Sequence, residues 1–229
     1  MTELSDAVPP AADRGFHGHP KPIFRGFIHL LAFSSALTLA PILIVVTPGV
    51  TERFIMAVYA LAVVGLFGVS ALYHRNDWSE RTHSIIRRID HSMIFVVTAA
   101  THTPIALIAL PTGPGWALFG VVWIGAILGI LGRIFYPHAP AAVVATPYVI
   151  VGWSSLFVVN HVWNQLAVAG FVLLIVGGAL YTIGAIIYAT RRPDPWPEHF
   201  GYHEIFHALT VGGAACHYVV IAVFVRDLI

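Results

Sequence analysis

Near the end of the chain, inside an apolar stretch, the sequence reads His203-Glu204-Ile205-Phe206-His207. Two imidazoles four residues apart lie on one face of a helix, one turn above the other. That spacing lets a single helix grip a metal ion. Three further residues share the depth of this pair once the chain is laid across a membrane. Ser70 and His74 stand one turn apart on one helix face, and Asp90 opens the next span. Three neutral imidazoles, His74, His203 and His207, leave one position of a tetrahedral zinc open, the pattern of a catalytic rather than a structural site. Asp90 is placed to take a proton from a water at that position, and Ser70 to orient the water or a substrate carbonyl. Zinc lowers the pKa of bound water to about 7, which supplies a nucleophile at neutral pH. Imidazole selects zinc over magnesium or calcium, while iron, copper and nickel remain open.

Each residue also has an ordinary reading. His203, His207 and His74 are interfacial histidines if no metal is present, His74 snorkelling to the headgroups. Ser70 bonds back to a helix carbonyl. Asp90 pairs with Arg87 or Arg88. Glu204 supplies a competing chemistry, because His-Glu-x-x-His is also a metalloprotease pattern with the Glu as general base. It points about 100° from His203 around a helix, which is compatible with that role. The chain lacks the Asn-Pro-rich, Leu-Asp-Gly type of segment that intramembrane metalloproteases use for a third ligand. Other histidines read as structural. His217 lies about 80° off the His207 face, His29 and His161 fall at or near span ends, and His91 points away from Asp90. His102, deeper in its span, is a candidate to line a cavity. Cys216 reads as a small core residue.

The elements that must position these groups are membrane spans. Of 229 residues, 58% are hydrophobic and only 10% charged, and the mean hydropathy is +0.81. A soluble domain carries about 25% charged residues. A single cysteine makes no intrachain disulfide, and a net charge of +1 argues against a nucleic-acid partner. Spans of about 20 apolar residues are expected at Phe27–Thr47, Arg53–His74, Ile89–Leu110, Trp116–Phe135, Ala141–Val159, Leu166–Ala189 and His203–Val225. Arg75–Arg88, Asn160–Gln165 and the proline-rich Arg191–Gly201 are read as connections. Pro41, Pro104 and Pro147 predict kinks. Gly125, Gly129, Gly177 and Gly178 offer close helix packing. The fold class is therefore all-α, a seven-transmembrane bundle over 26–229. Residues 1–25 form a polar tail without an apolar signal segment, expected to be cytoplasmic and disordered to about Pro20.

Ten of the twelve basic residues fall on one side: Arg14, Lys21, Arg25, Arg75, Arg81, Arg87, Arg88, Arg133, Arg191 and Arg192. Only Arg53 and Arg226 fall on the other. The positive-inside rule then puts the N-terminus in the cytoplasm and the C-terminus outside. It also puts His74, Asp90, His203 and His207 in one layer under the inner headgroups, where ionisable groups are costly and usually functional.

Ser70-Ala-Leu-Tyr-His74, Arg88-Ile-Asp90-His-Ser92, Thr101-His-Thr-Pro104 and His203-Glu-Ile-Phe-His207, in this order, resemble the haemolysin III family. That family is part of the progestin and adipoQ receptor superfamily, which includes the adiponectin receptors. The resemblance covers nearly all the chain after the tail. It implies a seven-helix bundle with zinc near the cytoplasmic side, held by His74, His203 and His207, with Asp90 and Ser70 at the motif aspartate and serine. The superfamily is similar to alkaline ceramidases, which implies zinc-dependent hydrolysis of a lipid amide or ester in the plasma membrane. Bacterial members are named for haemolysis and linked to membrane-lipid homeostasis. The alternatives are a sensor or homeostasis protein with structural zinc and no turnover, or a pore-forming haemolysin. A pore calls for a continuous polar stripe, whereas the intramembrane charge here is confined to one layer.

Overall fold

A computed structural model describes residues 22–136 and 139–229. The expected disordered tail up to Pro20 lies outside the described residues. Seven helical stretches are long and apolar enough to cross a membrane. In chain order the helices are α1 (Phe27–Val46), α2 (Val50–Arg75), α3 (Glu80–Pro104), α4 (Thr112–Phe135), α5 (Ala141–Gly152), α6 (Val159–Gln165), α7 (Val168–Thr190) and α8 (Tyr202–Val219). A 3₁₀ segment, Ser154–Val158, joins α5 to α6, and the three together make the fifth span. The chain is a multi-pass membrane protein, and its all-α class is as expected.

Neighbours in sequence are neighbours in space, as short connections require. α1 packs on α2, α2 on α3, α3 on α4 and α5, and α7 on α8, while contacts between α1 and α8 close the ring. α3 belongs to the most buried span and sits at the centre. Leu31, Val45, Phe54, Leu61, Ile124, Leu128, Ile150 and Ile186 face outward from the bundle, a surface that suits hydrocarbon.

Lipid tails are as apolar as leucine, so association must come from close van der Waals packing. The four glycines singled out from sequence serve that end. A side chain at Gly125 would meet Val151, at Gly129 the Phe95 ring, at Gly177 the His217 ring, and at Gly178 the Trp153 indole. The prolines behave differently from one another. The helix continues through Pro41 and Pro147, whereas after Pro104 the α pattern gives way to a π turn, Ile105–Ala109.

Span boundaries shift by a few residues, and two of the expected connections are largely helical. The third span starts at Glu80 rather than Ile89, so most of the Arg75–Arg88 connection is helical. Ser79 caps it, its hydroxyl accepting from the Thr82 amide at 3.4 Å. Hydropathy misses this turn because its charged residues lie where the helix projects beyond the apolar layer. Asn160–Gln165 is also helical, as α6, and the sixth span begins at Val168. The polar side chains there break the hydropathy but not the backbone.

The chain enters α1 through Gly26, whose φ of 73° is left-handed. This turn lays the preceding residues across the bundle end: the Ile23 amide donates to the Glu198 carbonyl at 3.2 Å and the Phe24 amide to His199 at 3.4 Å. A Cβ at Gly26 would lie 2.7 Å from the Cβ of His74. Gly26→Ala combines backbone strain with a clash against a candidate ligand. We expect it to cost about 1–3 kcal/mol and to lower metal content, read from the melting temperature in detergent and from elemental analysis.

Candidate metal centre

The structure brings together the five side chains expected to share one layer. The C-terminal end of α2 carries Ser70 and His74, the N-terminal half of α3 carries Asp90, and the first turns of α8 carry His203 and His207. All five line one cavity of about 1070 Å³. One nitrogen from each of His74, His203 and His207 falls within 4.8 Å of the other two. The Nε2 atoms of His74 and His203 are 3.2 Å apart. Two ligands at Zn–N distances of about 2.0–2.1 Å, held at a tetrahedral angle, would stand about 3.3 Å apart. The triad therefore fits a tetrahedral metal ion. His207, the innermost ligand candidate, is only 2% exposed.

Ser70 is also buried, and its neighbours give it a direction. Its Oγ lies 2.8 Å from the Nδ1 of His29 on α1 and pairs with the Asp90 carboxylate. With Asp90 ionised, Ser70 must donate to it, so the His29 Nδ1–H donates to Ser70. That order leaves His29 Nε2 as a lone pair, and this atom is buried without a partner. The His29 ring stacks on His207, with centroids 3.7 Å apart. His29 is thus part of the site, contrary to the structural reading given to it from sequence. Its position in the first turn of α1, level with the end of α2, was the available signal. Motif spacing pointed only to the other helices.

His91 is held by its neighbours, in keeping with the structural reading given to it. One residue beyond Asp90, it lines the same cavity. Its Nδ1 donates to the Arg87 carbonyl at 2.7 Å, so its Nε2 accepts from the Tyr188 hydroxyl at 3.3 Å. His102 lines the deep part of the cavity, as expected, with Nδ1 2.8 Å from the Thr98 carbonyl. His217 is structural: its Nε2 donates to the Leu174 carbonyl at 3.1 Å. His161 is exposed.

Glu204 has another role than a protease base. It is fully buried, with Oε1 paired to Arg25 Nε and Oε2 accepting from the Gly201 amide at 2.9 Å. Both oxygens are committed to the start of α8 and to the strap that precedes α1. The ion pair fixes the turn that carries His203, and it was invisible in sequence because its halves are 179 residues apart. Its two ends differ in exposure, 24% for the Arg25 side chain and 1% for Glu204. Removing Arg25 strands a buried carboxylate, whereas removing Glu204 leaves a guanidinium that can turn to water. Arg25→Ala should cost about 3 kcal/mol and Glu204→Gln less, with metal retained in Glu204→Gln. Equal losses in denaturation midpoints would contradict this asymmetry.

Comparison with known proteins agrees with this architecture. The chain is 30% identical to Hemolysin-3 of Bacillus cereus over 168 residues, 73% of this chain and 74% of that protein. It is 32% identical to the Hemolysin-3 homolog of Bacillus subtilis (strain 168) over 158 residues, 69% and 71% of the two chains. More distant similarity extends to Heptahelical transmembrane protein 5 of Arabidopsis thaliana, 29% identical over 69% of this chain and 46% of that one. The Adiponectin receptor protein of Drosophila melanogaster is 25% identical over 73% and 41% of the two. The haemolysin-III related family profile matches residues 17–218, and the chain belongs to that family, within the progestin and adipoQ receptor superfamily.

Proposed function

We propose that the protein is a zinc-dependent membrane hydrolase of a lipid amide or ester, with its site on the cytoplasmic side of the cell membrane. The observation that carries this reading is the meeting of three imidazoles, a carboxylate and a hydroxyl on one wall of a large cavity inside an apolar bundle. A purely structural metal would be closed by a fourth ligand. Here the groups beside the triad, Asp90 and Ser70, are a proton acceptor and a donor.

His74, His203 and His207 would hold the ion. Zinc bound there supplies Lewis acidity toward a carbonyl oxygen and acidifies water. Asp90 accepts the proton of the attacking water and later returns it to the leaving amine or alcohol. Ser70, fixed from behind by His29, holds the carboxylate in one orientation, so its basic lone pair faces the cavity. The deep apolar walls accommodate an acyl chain, and the surrounding helices keep bulk water from the reacting carbonyl.

Three outcomes test this. Purified protein should contain one zinc per chain, and the His203→Ala/His207→Ala variant none. Metal should leave as pH falls below about 6, because protons compete for neutral imidazoles. Full zinc at about pH 4.5 would contradict imidazole ligation. Asp90→Asn should keep its metal and lose about 10²–10⁴-fold in turnover, measured as fatty-acid release from a panel of lipid amides and esters. Metal-replete Asp90→Asn cleaving at the wild-type rate would rule the mechanism out.

A further inference from the structure

Arg133 lies two residues before the end of α4, at the bundle end that holds the metal centre. It reads in sequence as an orienting surface charge, yet it is only 4% exposed and lines the cavity. Its Nε and Nη1 are buried without hydrogen-bond partners. A guanidinium stays protonated in a protein, and an unpaired buried charge is strongly unfavourable. No carboxylate among the described residues forms an ion pair with it.

The neighbouring groups do not supply the missing charge. Arg133 stands within electrostatic reach of Tyr148, Tyr188 and His91. These three satisfy one another: the Tyr148 hydroxyl donates to the His91 carbonyl at 3.1 Å, and the Tyr188 hydroxyl donates to His91 Nε2. Of the cavity's acids, Asp90 is engaged by Ser70 and Asp194 by the Tyr202 amide. Asp77 and Glu80 are exposed. Arg87 lines the same cavity and adds to the positive field.

From this we infer that Arg133 is the anchor of an oxyanion subsite, which selects an amphiphile with a phosphate or carboxylate headgroup as the occupant of the cavity. A guanidinium presents two parallel N–H donors that match such a group. The subsite adjoins the metal centre, because the Tyr188 ring lies 5.9 Å from the His203 ring. The cavity continues past Val97 and Val149 to His102, which leaves room for a chain. This rests on the proposed hydrolase and narrows its substrate from any lipid amide or ester to an anionic one.

The test titrates tetradecyl phosphate, tetradecanol and inorganic phosphate into purified full-length protein in neutral detergent, read by the shift in melting temperature. Wild type should bind tetradecyl phosphate at least about tenfold more tightly than tetradecanol. Arg133→Gln should bring that ratio near one, and Arg133→Lys should keep part of it. With no ligand, Arg133→Gln should melt no lower than wild type, since it removes an uncompensated charge. Metal-free His207→Ala should retain the wild-type ratio. A ratio near one in wild type, or a tenfold ratio surviving in Arg133→Gln, overturns the subsite. A ratio lost in His207→Ala but kept in Arg133→Gln places the anion on the metal, which overturns the subsite and leaves the hydrolase standing. Inorganic phosphate stabilising as strongly as the ester overturns the amphiphile assignment in favour of a free anion. Should Arg133→Gln fail to fold, an unchanged ratio in Arg133→Lys and no preference in wild type remain the overturning results.

Discussion

Everything near the site depends on bringing the end of α2 against the start of α8 closely enough for their imidazoles to share one ion. Hydrocarbon gives helices no reason to choose one neighbour over another, and polar contacts and tight packing must choose for them. Here the choice is made several times over. The left-handed turn at Gly26 sets the strap against His74, and Arg25 ties that strap to Glu204 on α8. Gly177 and Gly213 let α7 and α8 approach until a side chain at either would meet the other's carbonyl. The ring of helices is closed by α1 on α8, and His29 adds an aromatic face directly on His207.

The same geometry gathers the site's polar groups into two networks. Ser70, His29 and Asp90 form a directional chain behind the cavity wall. Tyr148, Tyr188 and His91 form a second closed network. In a medium that offers no water, each network must satisfy itself. Several buried groups keep unmet capacity, and among them the His29 Nε2 and the Arg133 Nε and Nη1 belong to residues that line the cavity.

Much of this was legible in the chain. Hydropathy gave seven spans, and the orientation of alternate helices put Ser70, His74, Asp90, His203 and His207 at one depth. The helical period placed His203 and His207 on one face. What was not legible came from contacts without a local pattern. His29 belongs to no motif and gains its role from α2 and α8. Glu204 fits a protease signature letter by letter, but its carboxylate is spoken for by a residue at the far end of the sequence. Arg133 counts as a loop charge to any rule that tallies basic residues, because such a rule carries depth but not direction around a helix. Glu80 and the turn after it were lost for the opposite reason, since hydropathy sees charge where the backbone simply extends past the apolar layer.

Two of the three candidate imidazole ligands sit on α8, in the seventh of the described crossings. In chain order six described crossings precede α8, so the three imidazoles can meet only when the seventh is in place. A product that stops short of α8 has the earlier helices and none of the shared coordination. Because the candidate triad is divided between the second and the seventh described crossings, an ion held there would clamp together segments far apart in the chain, and its capture would depend on both being in place.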